Sequence, residues 1–316
     1  MTAIEAEAAR EASQMIYLLS QNLWWVGILF DAVATLAGTI GKQMLRKAVT
    51  SKNCMYYPLG LVLTAGIDPA FDLVAYSFAA QSIIAACAGL VVVWNVILAP
   101  CSLGEKLTPS RKVGAAIICI GTILVGVFGS HTDIQRTPDE YLELFVSSQA
   151  CIYYACFSCW LVLCMVMRRC ASLVVGAGFL CAMGGSLAGN SFTTKAAVEL
   201  TECGALDPGC TGSPFTSPLF YLFAGASLFN ATISLYILAI TLREFEALFM
   251  ITVYQGFFIL SGALSGNLVM DEKAGRSWRV LSAYCASIGL VIIGLAILCH
   301  GEWTMRVQKE RARSMH

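Results

Sequence analysis

The sequence predicts an all-α polytopic membrane protein, with about nine transmembrane helices in two inverted-topology repeats, on three observations. Only 13% of the 316 residues are charged and 58% are hydrophobic, whereas a soluble domain carries about 25% charged residues to cover its surface. Apolar runs of the roughly 20 residues needed to cross a bilayer recur along nearly the whole chain. Segments of the first half also reappear in the second in the same order, two of them at nearly equal offsets.

The apolar runs occupy 23–41, 56–78, 81–99, 113–130, 144–167, 171–192, 218–241, 246–269 and 279–299. Residues 1–22 form an acidic, alanine-rich extracytoplasmic segment with Glu5, Glu7 and Glu11. It has neither a basic n-region nor a small-residue cleavage site, so the first apolar run is read as a retained span. Tyr56 to Ala99 is almost unbroken, too long for one helix rising 1.5 Å per residue. A tight turn near Ala79-Ala80-Gln81-Ser82 divides it.

With nine spans and the N-terminus outside, fourteen of the twenty Lys and Arg residues fall on the cytoplasmic side, Lys42, Arg46, Lys106 and Arg168 among them. That bias is the one the positive-inside rule requires, and it places the C-terminus in the cytoplasm. The loop 271–279, with three basic residues outside, runs against it. The chain is expected in a plasma or endosomal membrane. Its basic tail, residues 300–316, is expected to be helical and to face anionic lipid rather than nucleic acid.

The repeat shows at three places. Glu105 recurs as Glu272 and Ile120 as Ile288, offsets of 167 and 168 residues, and Leu36-Ala37-Gly38 echoes Leu187-Ala188-Gly189. Each matched pair lies five spans apart, an odd number, so the copies cross the membrane in opposite directions. The expected organisation is a first repeat over 23–143 (helices 1–4), a fifth helix over 144–170 and a second repeat over 171–299 (helices 6–9). Secondary transporters of this construction hold substrate near the midplane, between the repeats.

Trp24-Trp25-x-Gly27, Ala75-Tyr76-x-Phe78-Ala79, Leu103-Gly104-Glu105-Lys106-Leu107 and Gly185-Ser186-Leu187 with Lys195-Ala196 resemble the NIPA-type magnesium transporters of the drug/metabolite transporter (EamA-like) superfamily. Tyr236-x-Leu238-Ala239 and Val253-Tyr254 are similar to that family's second half. The chain departs from the family pattern at Asp72, at Ala80 and in Ala37-Gly38-Thr39. All three departures fall on helices expected to line the pathway.

Carboxylates inside spans cost about 2.5–3.5 kcal/mol on insertion scales, so each is a functional candidate. Asp31 lies on a small, polar stripe with Gly27, Thr35 and Gly38. Asp68 and Asp72 share one helix face with Tyr76 a turn further on, and Pro69 is expected to break the second span beside them. Magnesium takes one or two carboxylates and keeps much of its water, so Asp31, Asp68 and Asp72 are the expected metal-binding set. The alternative is a group of buried, hydrogen-bonded carboxyls. Tyr76, Asn95, Glu105, Asn190, Tyr254, Gln255 and Glu272 are candidate pathway residues. Interhelical hydrogen bonding is the competing reading of the uncharged ones, and interfacial loop contacts that of Glu105 and Glu272. Gly185/Gly189 and Gly262/Gly266 have the spacing of close helix packing.

Most of the 14 cysteines sit in apolar runs, where Cys acts as a small hydrophobe. Cys203 and Cys210 flank a polar loop and form either a disulfide or two free thiols. No Walker, HExxH or GxSxG motif occurs, so nothing points to an enzyme, a cofactor or ATP-driven transport. The expected function is a divalent-cation permease, with Mg2+ as transported substrate by the resemblance, working by alternating access. A proton-coupled metabolite or drug transporter of the same superfamily is the first alternative, and a non-transporting scaffold or receptor the second. The expected partners are the bilayer and the cation or small solute, with homo-oligomerisation left open and no nucleic acid.

Overall fold

The computed structural model describes residues 23–50, 54–102, 109–130, 136, 138–171, 173–206, 217–244, 247–272 and 277–314. Among these the chain is helical throughout, without strands. The first helix, α1, is Trp24–Thr50. It outruns its apolar stretch because nothing between Lys42 and Lys47 breaks a helix.

Helix α2, Tyr56–Tyr76, does not break at Asp68-Pro69 as the sequence suggested. Asp68 is helical, with φ −52° and ψ −58°. A proline ring normally clashes with the carbonyl four residues earlier. Here that residue is Ala65, inside a π-helical turn over Leu63–Ile67. The wider turn makes room for the ring, and the helix continues.

The third span does break. It consists of α3, Gln81–Cys87, and α4, Leu90–Ser102, interrupted at Ala88-Gly89. Tighter local bonds, Gly89 N–H to the Ala86 carbonyl at 3.0 Å and Val91 N–H to that of Ala88 at 3.1 Å, carry the backbone across it, and neighbouring helices add to them. Gln255 Nε2 donates to the Ala88 carbonyl at 3.2 Å, and Thr122 Oγ1 to that of Ala86 at 3.5 Å.

The remaining helices are α5 (Pro109–Phe128), α6 (Pro138–Val146), α7 (Ser148–Cys170), α8 (Leu173–Gly189), α9 (Phe192–Leu206), α10 (Pro218–Glu244), α11 (Ala247–Leu268) and α12 (Trp278–Ser314). Pro109, Pro138 and Pro218 each open a helix, where a missing N–H costs nothing. Ser147 caps α7 by accepting from the Ala150 amide at 3.3 Å. Eight described helices are long and apolar enough to cross a membrane. The ninth expected span, 171–192, is the 17-residue α8. It sits at the short limit for spanning, and the chain pauses at Asn190-Ser191 before resuming as α9.

The most extensive packing joins α5 to α12, α8 to α11, and α1 to α2. Small residues bring these backbones together, as expected where lipid removes the hydrophobic drive between helices. A Cβ at Gly114 would lie 2.9 Å from the Gly294 carbonyl oxygen, and one at Gly294 equally close to that of Gly114. Gly185 and Gly189 hold α8 against α11, and Gly262 and Gly266 hold α11 against α3, as their spacing indicated. Helices α7 and α10 turn Ile152, Val162 and Leu222 outward, up to 64% exposed, the character of a lipid-facing surface.

Candidate functional site

A cavity of about 930 Å³ lies between the halves of the bundle. Its first wall comes from α1 and α2, which present Asp31, Thr35, Lys42, Asp68, Asp72 and Tyr76. Its second wall carries no charge and mixes apolar side chains with polar ones, including Asn190, Ser191, Asn230, Ser234, Tyr254 and Gln255. Charge is therefore confined to one side, and hydroxyls and amides face it.

Asp31 and Asp72 come from neighbouring helices, and their carboxyls lie within hydrogen-bonding reach of each other. Two carboxyls that close must share a proton or a cation. Asp31 Oδ2 and Asp72 Oδ1 are nevertheless buried without a hydrogen-bond partner. Asp68 is near enough to act electrostatically on both members of this pair, and it also faces a lysine. Its Oδ2 lies 3.8 Å from Lys42 Nζ, and both side chains are largely buried. Gly38 makes that placement possible, since a Cβ there would lie 2.0 Å from Asp68 Oδ2. The obstacle is a movable carboxylate and not backbone, so Gly38→Ala is expected to fold normally and expel Asp68 from its niche. Activity at the cavity should fall while the unfolding temperature stays within a few degrees, the latter read by thermal unfolding.

Among the described residues no three His, Cys, Asp or Glu side chains converge into a closed metal cage. The three aspartates thus line one wall as a pair plus a third, lysine-bound group. Tyr254 bonds to Ser234, and Asn190 accepts from Tyr153 and from Ser261, the latter at 3.2 Å. Asn95 is not on the cavity wall: its Oδ1 accepts from Gln43 Nε2 at 2.8 Å, joining α4 to α1. Glu105, Cys210 and residues 1–22 lie outside what the structure describes, as does the side chain of Cys203 and so the pairing of the two cysteines.

Glu272 also lies away from the cavity, at the end of the bundle where α1 begins. Asp271, at φ +50°, turns the chain so that the Glu272 carboxylate meets the start of α3. Its oxygens accept from the Gln81 amide at 2.7 Å and the Ser82 amide at 3.0 Å. Lys195 Nζ donates to the carbonyls of Tyr76 at 3.2 Å and Ala79 at 3.1 Å, at the close of α2. A cation on the carbonyl end of one helix and an anion on the amide end of the next complement both helix dipoles. The turn Ser77–Ala80 is thus clasped from both sides by the second half of the chain. At the opposite end of the bundle, Arg46 Nη1 donates to the Leu242 carbonyl near the close of α10 at 3.1 Å.

The sequence reading missed Lys42, Ser191 and Ser234 as cavity residues. Lys42 could have been found, because it continues the Asp31–Thr35–Gly38 stripe by one more turn.

Apolar helices around a cavity, with interrupted helices at Ala88-Gly89 and Asn190-Ser191 beside it, define a polytopic α-helical membrane transporter. A family model described as Magnesium transporter NIPA matches residues 51–302, most of the chain. The chain belongs to that family. No curated protein and no solved structure matches it.

Proposed function

We propose that the chain carries a divalent cation, Mg2+, across the membrane by alternating access between two inverted repeats, with the ion held at Asp31 and Asp72 and attracted by Asp68. The observation that carries this reading is the pair of neighbouring carboxyls in which one oxygen of each, Asp31 Oδ2 and Asp72 Oδ1, is buried and unpartnered. Buried carboxylate oxygens normally have partners, and a cation supplies one. The cavity suits an ion that keeps its water: six waters at about 30 Å³ each need only about 180 Å³. An inside-negative potential favours entry of a double charge by about 4.6 kcal/mol per 100 mV, so no other fuel is required.

The helix-end contacts support two inverted repeats. Lys195, on the α8–α9 span, caps the end of α2, and Arg46, on α1, caps the end of α10. In the repeat α1 matches α8–α9 and α2 matches α10, so one interaction recurs at opposite ends of the bundle. Alternating access requires such contacts to open in turn. Lys195→Met is expected to raise labelling of a cysteine placed at Ser77 by an impermeant maleimide, read at that position by mass spectrometry. Unchanged labelling removes the clasp from the mechanism.

The test of function is the purified chain in liposomes that hold a magnesium-sensitive dye, under an inside-negative potential. Mg2+ entry above protein-free vesicles supports the reading, and its absence in sealed vesicles rejects it. The cavity volume favours one second reading, since about 930 Å³ is also within the range of organic-ligand pockets. A metabolite carrier would move solute with the proton gradient and ignore Mg2+.

A further inference from the structure

Lys42 stands where a cation carrier would be expected to avoid a positive charge. It lies on the cavity wall, on the same α1 face as Asp31 and three turns from it, and is only 7% exposed. A buried ammonium is costly unless it is paired. Its ion-pair partner among the described residues is Asp68, 3.8 Å away, a distance at the outer limit of direct contact. Gly38, one turn before Lys42, gives the Asp68 carboxylate its niche. The fold therefore sets this lysine against this aspartate, and at a separation that holds it loosely.

We propose that Lys42 is a tethered counter-ion that sets the affinity of the site by exchanging with the transported cation at Asp68. The inference rests on the divalent-cation reading and adds to it. Three carboxylates and one ammonium carry a formal charge of −2, which a single divalent ion neutralises. The arriving ion repels the ammonium and takes over its hold on Asp68. As the ion leaves, Lys42 returns and the empty cavity is not left with three bare carboxylates. A carrier must bind its ion tightly enough to collect it and weakly enough to let it go, and Lys42 supplies the second requirement. Without it the ion binds more tightly and leaves more slowly.

The test is calorimetric titration with Mg2+ of the purified full chain in lipid nanodiscs, together with liposome flux. Lys42→Met keeps the apolar stem and removes the charge. It is expected to bind Mg2+ about tenfold more tightly, a gain of about 1.4 kcal/mol, with flux saturating at lower Mg2+ and a lower maximal rate. Lys42→Arg, which keeps the charge, is expected to resemble the wild type. Lys42→Met/Asp68→Asn removes both charges, restores the formal −2, and is expected to return affinity to near the wild-type value. It also replaces the single variant if an unpaired Asp68 prevents folding, in which case tenfold or greater weakening in the double variant overturns the proposal. Unchanged or weaker Mg2+ binding by a folded Lys42→Met overturns it while leaving the cation site standing. Absence of Mg2+ binding by the wild type overturns the cation reading and this inference with it.

Discussion

Replacing Asp72 by asparagine is expected to abolish Mg2+ uptake while leaving the folded bundle intact, and Asp31→Asn is expected to do the same. Asparagine preserves the volume and can keep a hydrogen bond between the two side chains, so little in the packing changes. What it removes is one of two adjacent charges. At an effective dielectric of about 20, a doubly charged ion 4 Å from a carboxylate gains about 8 kcal/mol before the cost of desolvation. Even a third of that, about 2.7 kcal/mol, is a hundredfold in affinity. Flux should therefore fall by more than about a hundredfold in either variant, measured in the same dye-loaded liposomes and with thermal unfolding as the control for folding. Asp68→Asn should be milder, because Asp68 is already engaged by Lys42. Full flux through an Asp31→Asn/Asp72→Asn double variant would place the ion elsewhere.

The second large effect is on stability. Gly185→Ala adds a single methyl group, but its Cβ would lie 2.1 Å from the carbonyl oxygen of Tyr254, which is backbone and cannot rotate away. Helices α8 and α11 would have to separate along their whole contact, where Gly189 faces the Phe258 carbonyl in the same way. Overpacking typically costs about 1–3 kcal/mol and occasionally more, and this site belongs at the upper end. The unfolding temperature is expected to drop by several degrees and membrane-inserted yield to fall. Gly225→Ala, at a glycine whose added Cβ meets nothing within 4 Å, is the matched control and should change neither. The contrast with Gly38→Ala is instructive: there the collision is with a side-chain carboxylate, so function is affected and the packing is spared.

Much of the helical architecture was legible in the sequence because lipid imposes simple rules. Length and apolarity locate spans, and the turn between α2 and α3 fell close to where an overlong apolar run had to fold back. The Asp68-Pro69 pair misled because a local rule, that proline ends a helix, takes no account of a π-turn one residue upstream. The Ala88-Gly89 interruption was invisible for the opposite reason. Ala and Gly are common in transmembrane helices, and the side chain that meets the freed turn, Gln255, lies 167 residues away. Glu272 was expected either on the pathway or in contacts of its own interfacial loop. Its actual partners, the amides of Gln81 and Ser82, lie about 190 residues earlier in the chain. Lys42 was counted only as a charge that sets orientation, although its position on the Asp31 stripe already placed it on the same face. Same-helix geometry could be read from spacing; contacts between distant helices could not.

The clasp around Ser77–Ala80 bears on how the chain comes into being. The first four spans leave the ribosome before residues 195 and 272 have been synthesised. During that interval the carbonyls of Tyr76 and Ala79 and the amides of Gln81 and Ser82 lack the side chains that later hold them. The α2–α3 turn can acquire its final form only when the last third of the protein arrives. The amino-terminal half is accordingly a partner awaiting its complement, and the order of synthesis makes closure of that end of the bundle one of the last events of assembly.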